Sequence, residues 1–149
     1  MTTIETQEGE FLVSTDKSKL DTAVIYDYLA HESYWSQNIP RSVVEKSLQG
    51  SLCFGLYHHQ QQVGFARLIT DYATFAYLAD VFVLEAYRGK GLSKFLMRCI
   101  IAHPDVAGLR RIMLVTSDAH GLYEQFGFTG IPNPEKMMQL HKPDIYTKK

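Results

Sequence analysis

The chain has 149 residues, 46% of them hydrophobic and 21% charged, the size and composition of one ordinary domain, 1–149, with a real core. A formal net charge of −1 and a pI of about 6.6 exclude the broad basic surface of a nucleic-acid or anionic-membrane binder, so any cationic site is local. Cys53 and Cys99 both fall in apolar patterns, no amino-terminal apolar core reads as a targeting signal, and no apolar run is long enough to span a bilayer, which together imply a cytoplasmic protein with reduced thiols.

In chain order, EFLVST reads as a short first strand. With Ser18 as N-cap and Asp21 three positions on, Leu20, Val24, Tyr28 and Leu29 recur at helical spacing and predict a first helix ending near HESYW. Pro40 and Gly50 bracket a second, shorter helix over SVVEKSLQ. SLCFGLYH and QQVGFARLIT, joined by the polar HQQ, read as a β-hairpin. After a turn around TDYAT, the nearly continuous apolar run FAYLADVFVL is expected to be a central strand covered on both faces. Leu92, Phe95, Leu96, Cys99 and Ile100 then form one stripe of an amphipathic helix that Pro104 and Gly108 end. RRIMLVTS is a further buried strand, DAHGLYEQF a short helix capped by Asp118 and closed by Gly127, and the tail KMMQLHKPDIY a last strand. The order β-α-α-β-β-β-α-β-α-β describes an α+β domain, helices flanking a mixed sheet.

Between the central strand and the long helix lies YRGKGLSK. Two glycines permit a tight turn with unusual backbone angles, and a helix begins at once. Such a turn aims several free N–H groups at one spot, and with the helix dipole and Arg88, Lys90 and Lys94 it makes a site for phosphate or pyrophosphate. The plainer reading is a chain reversal with solvated cations. Neither G-x-x-x-x-G-K-[ST] nor G-x-G-x-x-G is present.

VFVLEAYRGKGLS resembles the central motif of the GNAT superfamily of acetyl-CoA-dependent N-acetyltransferases, a strand followed by R/Q-x-x-G-x-G/A, with Arg88, Gly91 and Ser93 on its three positions. DAHGLYEQFGF is similar to the family's later A-x-x-L-Y-x-x-x-G-F, matched by Ala119, Leu122, Tyr123, Gly127 and Phe128. The resemblance implies a mostly antiparallel sheet splayed between the fourth and fifth expected strands, and acetyl-CoA as co-substrate. It implies that the backbone of Gly89, Lys90, Gly91, Leu92, Ser93 and Lys94 cradles the pyrophosphate, that Phe82 and Val83 pair with the pantetheine arm, that Phe126 lies against the cofactor, and that Tyr123 protonates the departing thiolate. A phenol of pKa about 10 is a proton donor at neutral pH. Glu85 stands in place of a proline common in the family, Ser93 in place of Gly or Ala, and Thr116 where many members have Asn.

An amine attacks a thioester only when neutral, so a base is expected. Asp80, which interrupts FAYLADVFVL on the face of Leu78 and Phe82, is one candidate; the alternative is an ion pair with Arg67 across the hairpin. His120, on the helix of Tyr123, is the second candidate base. Tyr34 and Trp35 of HESYW, with Arg67, Asp71, Tyr72, Phe75 and Asp80, are the candidate acceptor contacts, because aromatic and carboxylate groups suit a cationic amine. No tight Cys/His cluster is apparent, so no metal is expected. The function expected is acetyl transfer to a small-molecule amine. A protein-lysine or N-terminal acetyltransferase and a non-catalytic acyl-CoA sensor are the alternatives, and a homodimer is left open.

Overall fold

The protein is described over residues 2–147 by a computed structural model. Its centre is a six-stranded sheet whose spatial order follows the chain: β1 (Glu5–Glu8), β2 (Phe11–Ser14), β3 (Leu52–His58), β4 (Gln61–Thr70), β5 (Phe75–Val83) and β6 (Arg111–Met113). Every neighbouring pair is antiparallel except β5–β6, which is parallel. The mixed, mostly antiparallel sheet flanked by helices is therefore the one expected.

The chain departs from expectation at both ends. EFLVST does form a strand, β2, but an earlier strand pairs with it, turned by Gly9 at φ +60°. All four residues of β1 are exposed, so no apolar alternation marked it. KMMQLHKPDIY forms no strand; Met138 and Leu140 are 97% and 87% exposed. Alternation alone does not make a strand where no neighbouring edge accepts its hydrogen bonds.

The first helix, α1 (Thr22–Asp27), is capped by Asp21, whose carboxylate accepts from the Ala23 and Val24 amides, and not by Ser18. Ser18 lies inside a preceding 3₁₀ turn capped by Asp16. Beyond Asp27 the chain continues as a π-helical turn over Tyr28–Glu32. The buried Gln62 accepts from the Asp21 amide at 2.7 Å and donates to the Gly64 carbonyl at 3.0 Å, tying the start of α1 to the sheet. The second helix, α2 (Arg41–Gln49), starts after Pro40 and stops at Gly50 as the sequence predicts. On the other side come α3 (Leu92–Ala102), α4 (Pro104–Ala107) and α5 (His120–Glu124). No helix among the described residues is long and apolar enough to cross a membrane.

Two apolar clusters sandwich the sheet. Phe54, Leu56, Ala66, Leu68 and Leu78 pack against Phe95, Leu96 and Ile100 of α3. Cys53, Phe65 and Phe82 pack against Ile25, Leu29, Val44 and Leu48 of the α1–α2 layer. Strand residues point alternately to opposite faces, yet Leu78 and Phe82 belong to different clusters. Between Phe65↔Phe82 and Arg67↔Ala79 the register slips by one residue, and Asp80 sits at φ +57°. This β-bulge adds one residue to β5 and turns Asp80 toward the α1–α2 side, so Asp80 does not share a face with Leu78 as the sequence suggested.

Candidate active site

The glycine turn follows β5 through a 3₁₀ turn over Glu85–Tyr87. Gly89 and Gly91 have φ of +80° and +74°, and Gly91 is the N-cap of α3. The first intrahelical bond is Phe95 N to Gly91 O at 3.1 Å. Among the described residues, none of the amides from Gly89 to Lys94 has an acceptor. A Cβ built on either glycine would meet nothing within 4 Å, so these donors open onto free space at the positive end of a helix dipole. This is the donor set that an anionic diphosphate needs. Lys90, Ser93 and Lys94 border it, Lys90 and Lys94 exposed, while Leu92 is buried and contributes its amide.

Arg88 is engaged within the protein. Its Nε donates to the Val83 carbonyl at 3.1 Å and its Nη2 to the Tyr28 hydroxyl at 3.0 Å. The guanidinium locks the end of β5 to the π-helical turn, where Tyr28 also stacks on Phe82 at 4.1 Å.

The parallel pairing of β5 with β6 runs only from Phe75↔Arg111 to Tyr77↔Met113, although β5 continues to Val83. The two strands part there, leaving the stretch that contains Phe82 and Val83 without a β6 neighbour. Tyr123, on α5 beyond this opening, is 9% exposed. Burial, then the neighbouring Tyr34 and Asp118, push its pKa up to about 12. The phenol thus stays protonated at neutral pH and is a weaker acid than a free tyrosine. Among the described residues its hydroxyl has no hydrogen-bond partner, and it is not one of the sealed, orphaned polar atoms.

The short α5 is held at both ends. Its start is tied by the Thr116 hydroxyl, which accepts from the Ala119 amide at 3.0 Å, and not by Asp118. It closes at Gly127, φ +91°, with Phe128 N donating to Tyr123 O. Phe126 is half-buried against the α3-side cluster, and His120 is exposed at the first helical position.

The α1–α2 connection closes over the other side. The Tyr34 hydroxyl accepts from the Ser117 amide at 3.1 Å, and its pKa is lowered by its bonds with Ser117. Trp35 packs edge-on against Tyr34 at 5.0 Å and donates its indole N–H to Asp80 Oδ1 at 2.9 Å. The other Asp80 oxygen accepts from Arg67 Nε at 2.5 Å, and Arg67 also donates to the Ser51 hydroxyl at 3.0 Å. Asp80 and Arg67 side chains are 7% and 16% exposed. Of the two readings of Asp80, the geometry displays the ion pair.

Asp71, Tyr72 and Phe75 lie elsewhere. They stand at the start of β5, the end opposite Val83, where Thr74 O accepts from the Arg110 amide. The Asp71 carboxylate accepts from the amides of Ala73, Thr74 and Phe75 and from the Thr74 hydroxyl. These bonds, the Thr74 hydroxyl first, hold it well below the usual carboxylate range. It is a turn-forming residue and not a free acceptor contact.

The fold is shared with proteins of known structure. The chain matches the acetyltransferase (GNAT) family over residues 23–128. It belongs to that family. A GNAT-family structure from Xanthomonas campestris pv. campestris, provisionally assigned as an acetyltransferase, is 48% identical and superposes with a TM-score of 0.91, over 95% of this chain and 100% of that one. A Gibberella zeae protein, also a provisional acetyltransferase, is 32% identical over 77% of this chain and 76% of its own. A GNAT acetyltransferase from Elizabethkingia anophelis, solved with acetyl-CoA bound, shares the fold at 13% identity and a TM-score of 0.61, covering 82% and 78% of the two chains. The GNAT chain is accordingly an acyltransferase.

Proposed function

We propose that this GNAT chain transfers an acetyl group from acetyl-CoA to a primary amine of a small molecule, by direct attack within a ternary complex. The observation that carries the reading is the run of unpaired amides from Gly89 to Lys94 at the mouth of α3, beside the parting of β5 and β6. These amides hold the diphosphate, with Lys90 and Lys94 adding charge at the rim. The backbone of Phe82 and Val83, left without a β6 partner, pairs with the extended pantetheine arm, the Val83 carbonyl also accepting from Arg88.

As the new N–C bond forms and the thioester C–S bond breaks, nitrogen loses a proton and sulfur gains one. Tyr123 supplies a neutral donor beside the sulfur, and its raised pKa keeps it protonated across the working range. Asp80, occupied by Arg67 and Trp35, positions the acceptor wall, leaving His120 as the free imidazole on the helix of Tyr123 to take the amine proton directly or through water.

A small acceptor is favoured by a cavity of about 580 Å³ between the α1–α2 connection and the C-terminal segment, lined among others by Tyr34, Trp35, Asn38, His141 and Asp144. Its size matches a small-molecule site. A thiol-release assay with acetyl-CoA against amines, polyamines, amino acids and peptides tests the reading. Turnover is expected with a small amine, and CoA at about 100 times its Kd is expected to raise stability by about 2.7 kcal/mol. Stabilisation without turnover of any acceptor would identify a sensor, preferential turnover of peptides a protein acetyltransferase, and no stabilisation by CoA would overturn the cradle.

A further inference from the structure

We propose that Glu10, His58 and His59 form a binding site for one borderline divalent transition-metal ion, Zn²⁺ being the representative, with two imidazoles and one carboxylate as ligands and an open fourth position. Glu10 follows Gly9 in the turn between β1 and β2, His58 ends β3, and His59 begins the turn to β4. One ligand atom from each lies within 4.8 Å of the others.

The backbone brings the two imidazoles together. Consecutive strand residues point to opposite faces, so an ordinary His-His pair at a strand end would diverge. His59 instead has φ +56°, a left-handed conformation that histidine, asparagine and aspartate adopt more readily than other non-glycine residues. Its ring swings beside that of His58, centroids 4.4 Å apart. The His59 amide donates to the Glu10 carbonyl at 3.4 Å, which fixes one turn against the other.

The distances suit a metal with little movement. His59 Nε2 lies 3.3 Å from one Glu10 oxygen and His58 Nε2 3.9 Å from the other. Two bonds of about 2.0–2.1 Å at a tetrahedral angle separate their ligand atoms by about 3.4 Å. Glu10 is 68% exposed along its side chain and free to adjust.

His58 is already oriented as a ligand. Its ring stacks on Phe11 at 4.9 Å and 28°, and its Nδ1 lies 3.2 Å from the Tyr87 hydroxyl. With Nδ1–H donating to that hydroxyl, Nε2 presents its lone pair toward Glu10. This is the outer-shell arrangement that fixes the tautomer of metal-bound histidines. Two nitrogen donors and one carboxylate select Zn²⁺, Ni²⁺ or Cu²⁺ over Mg²⁺ and Ca²⁺, which want oxygen ligands throughout. The sequence reading missed the cluster because Glu10 is distant in the chain and only the sheet, pairing Phe11 with His58, brings it alongside.

The test uses the full chain without an affinity tag. Calorimetric titration with Zn²⁺ is expected to show one saturable equivalent, and titration with Mg²⁺ none. Glu10→Gln and His59→Ala change exposed side chains; both should melt like the parent and bind Zn²⁺ at least 10-fold more weakly. Tyr87→Phe, which removes no ligand, should lower affinity by 10-fold or more, the usual scale of an outer-shell partner. With Cu²⁺ as probe, paramagnetic resonance should show two coupled nitrogens, falling to one in His59→Ala. Absence of a saturable equivalent, or a site insensitive to both Glu10→Gln and His59→Ala, would leave only an ordinary carboxylate–imidazole contact and overturn the proposal. An unchanged affinity in Tyr87→Phe would overturn the orientation of His58.

Discussion

Asp80→Asn isolates what the bulged carboxylate does. Asparagine tolerates φ +57° as aspartate does, so the backbone need not move. The side chain loses its charge and one of its two acceptors. Trp35 Nε1–H and Arg67 Nε–H each donate to a separate Asp80 oxygen, so in the variant one donor must face an NH₂ group. With Arg67 16% exposed, its guanidinium is largely withdrawn from water and left without a counter-charge. Breaking a buried pair costs about 3–5 kcal/mol. Because the Ser51 hydroxyl still accepts from Arg67, the lower end applies, about 3 kcal/mol. At roughly 2–4 °C per kcal/mol for a chain of this size, the melting temperature should fall by about 6–12 °C. Loosening Trp35 should raise the acceptor KM while acetyl-CoA binding holds. Calorimetric melting and pH–rate profiles of the parent and the variant check both. The positioning role predicts a destabilised enzyme whose profile keeps its shape. An unchanged melting temperature, with a rate that recovers as pH rises and more amine is neutral, would refute the reasoning and make Asp80 the base.

Gly91→Val should cost about 1–2 kcal/mol through the left-handed backbone and abolish CoA stabilisation, because the branched side chain covers the amides; normal binding would make the turn a mere reversal. Tyr123→Phe should keep acetyl-CoA affinity and lower kcat by on the order of 10²-fold, and full activity would remove the proposed donor. Cys53, buried with its pKa pushed up to about 11 by desolvation, should react with thiol reagents only after unfolding, as followed by absorbance in native and denatured protein. His103 is 4% exposed, its Nδ1 accepts from the Asp105 amide at 3.1 Å, and burial lowers its pKa from the ordinary 6.5. A base with a lowered folded pKa takes up its proton more readily in the unfolded chain, so its contribution is full above 6.5 and is lost as pH falls through 6.5 toward the folded value. His103→Asn, which keeps an acceptor for Asp105 without titrating, should flatten the dependence of melting temperature on pH between 7 and 5.

The features that the amino-acid order determines unaided are those with local causes. Gly89 and Gly91 reverse the chain because they admit positive φ, Pro40 and Gly50 delimit α2 through backbone geometry, and the stripe from Leu92 to Ile100 follows from helical spacing. The family pattern is likewise carried by short runs, Arg88 to Ser93 and Ala119 to Phe128. What only the tertiary structure decided involves residues whose partners are remote in the chain. A one-residue bulge turned Asp80 from the face of Leu78 to that of Arg67 and Trp35. Arg88 found the Tyr28 hydroxyl, while Tyr34 reached Ser117 across the opening beside β6. For Asp80 the cause is that a side chain's period along a strand is two, so a single inserted residue reverses every face beyond it, and no local pattern records where the insertion falls; for Arg88 and Tyr34 it is that their partners lie 60 and 83 residues away in the chain.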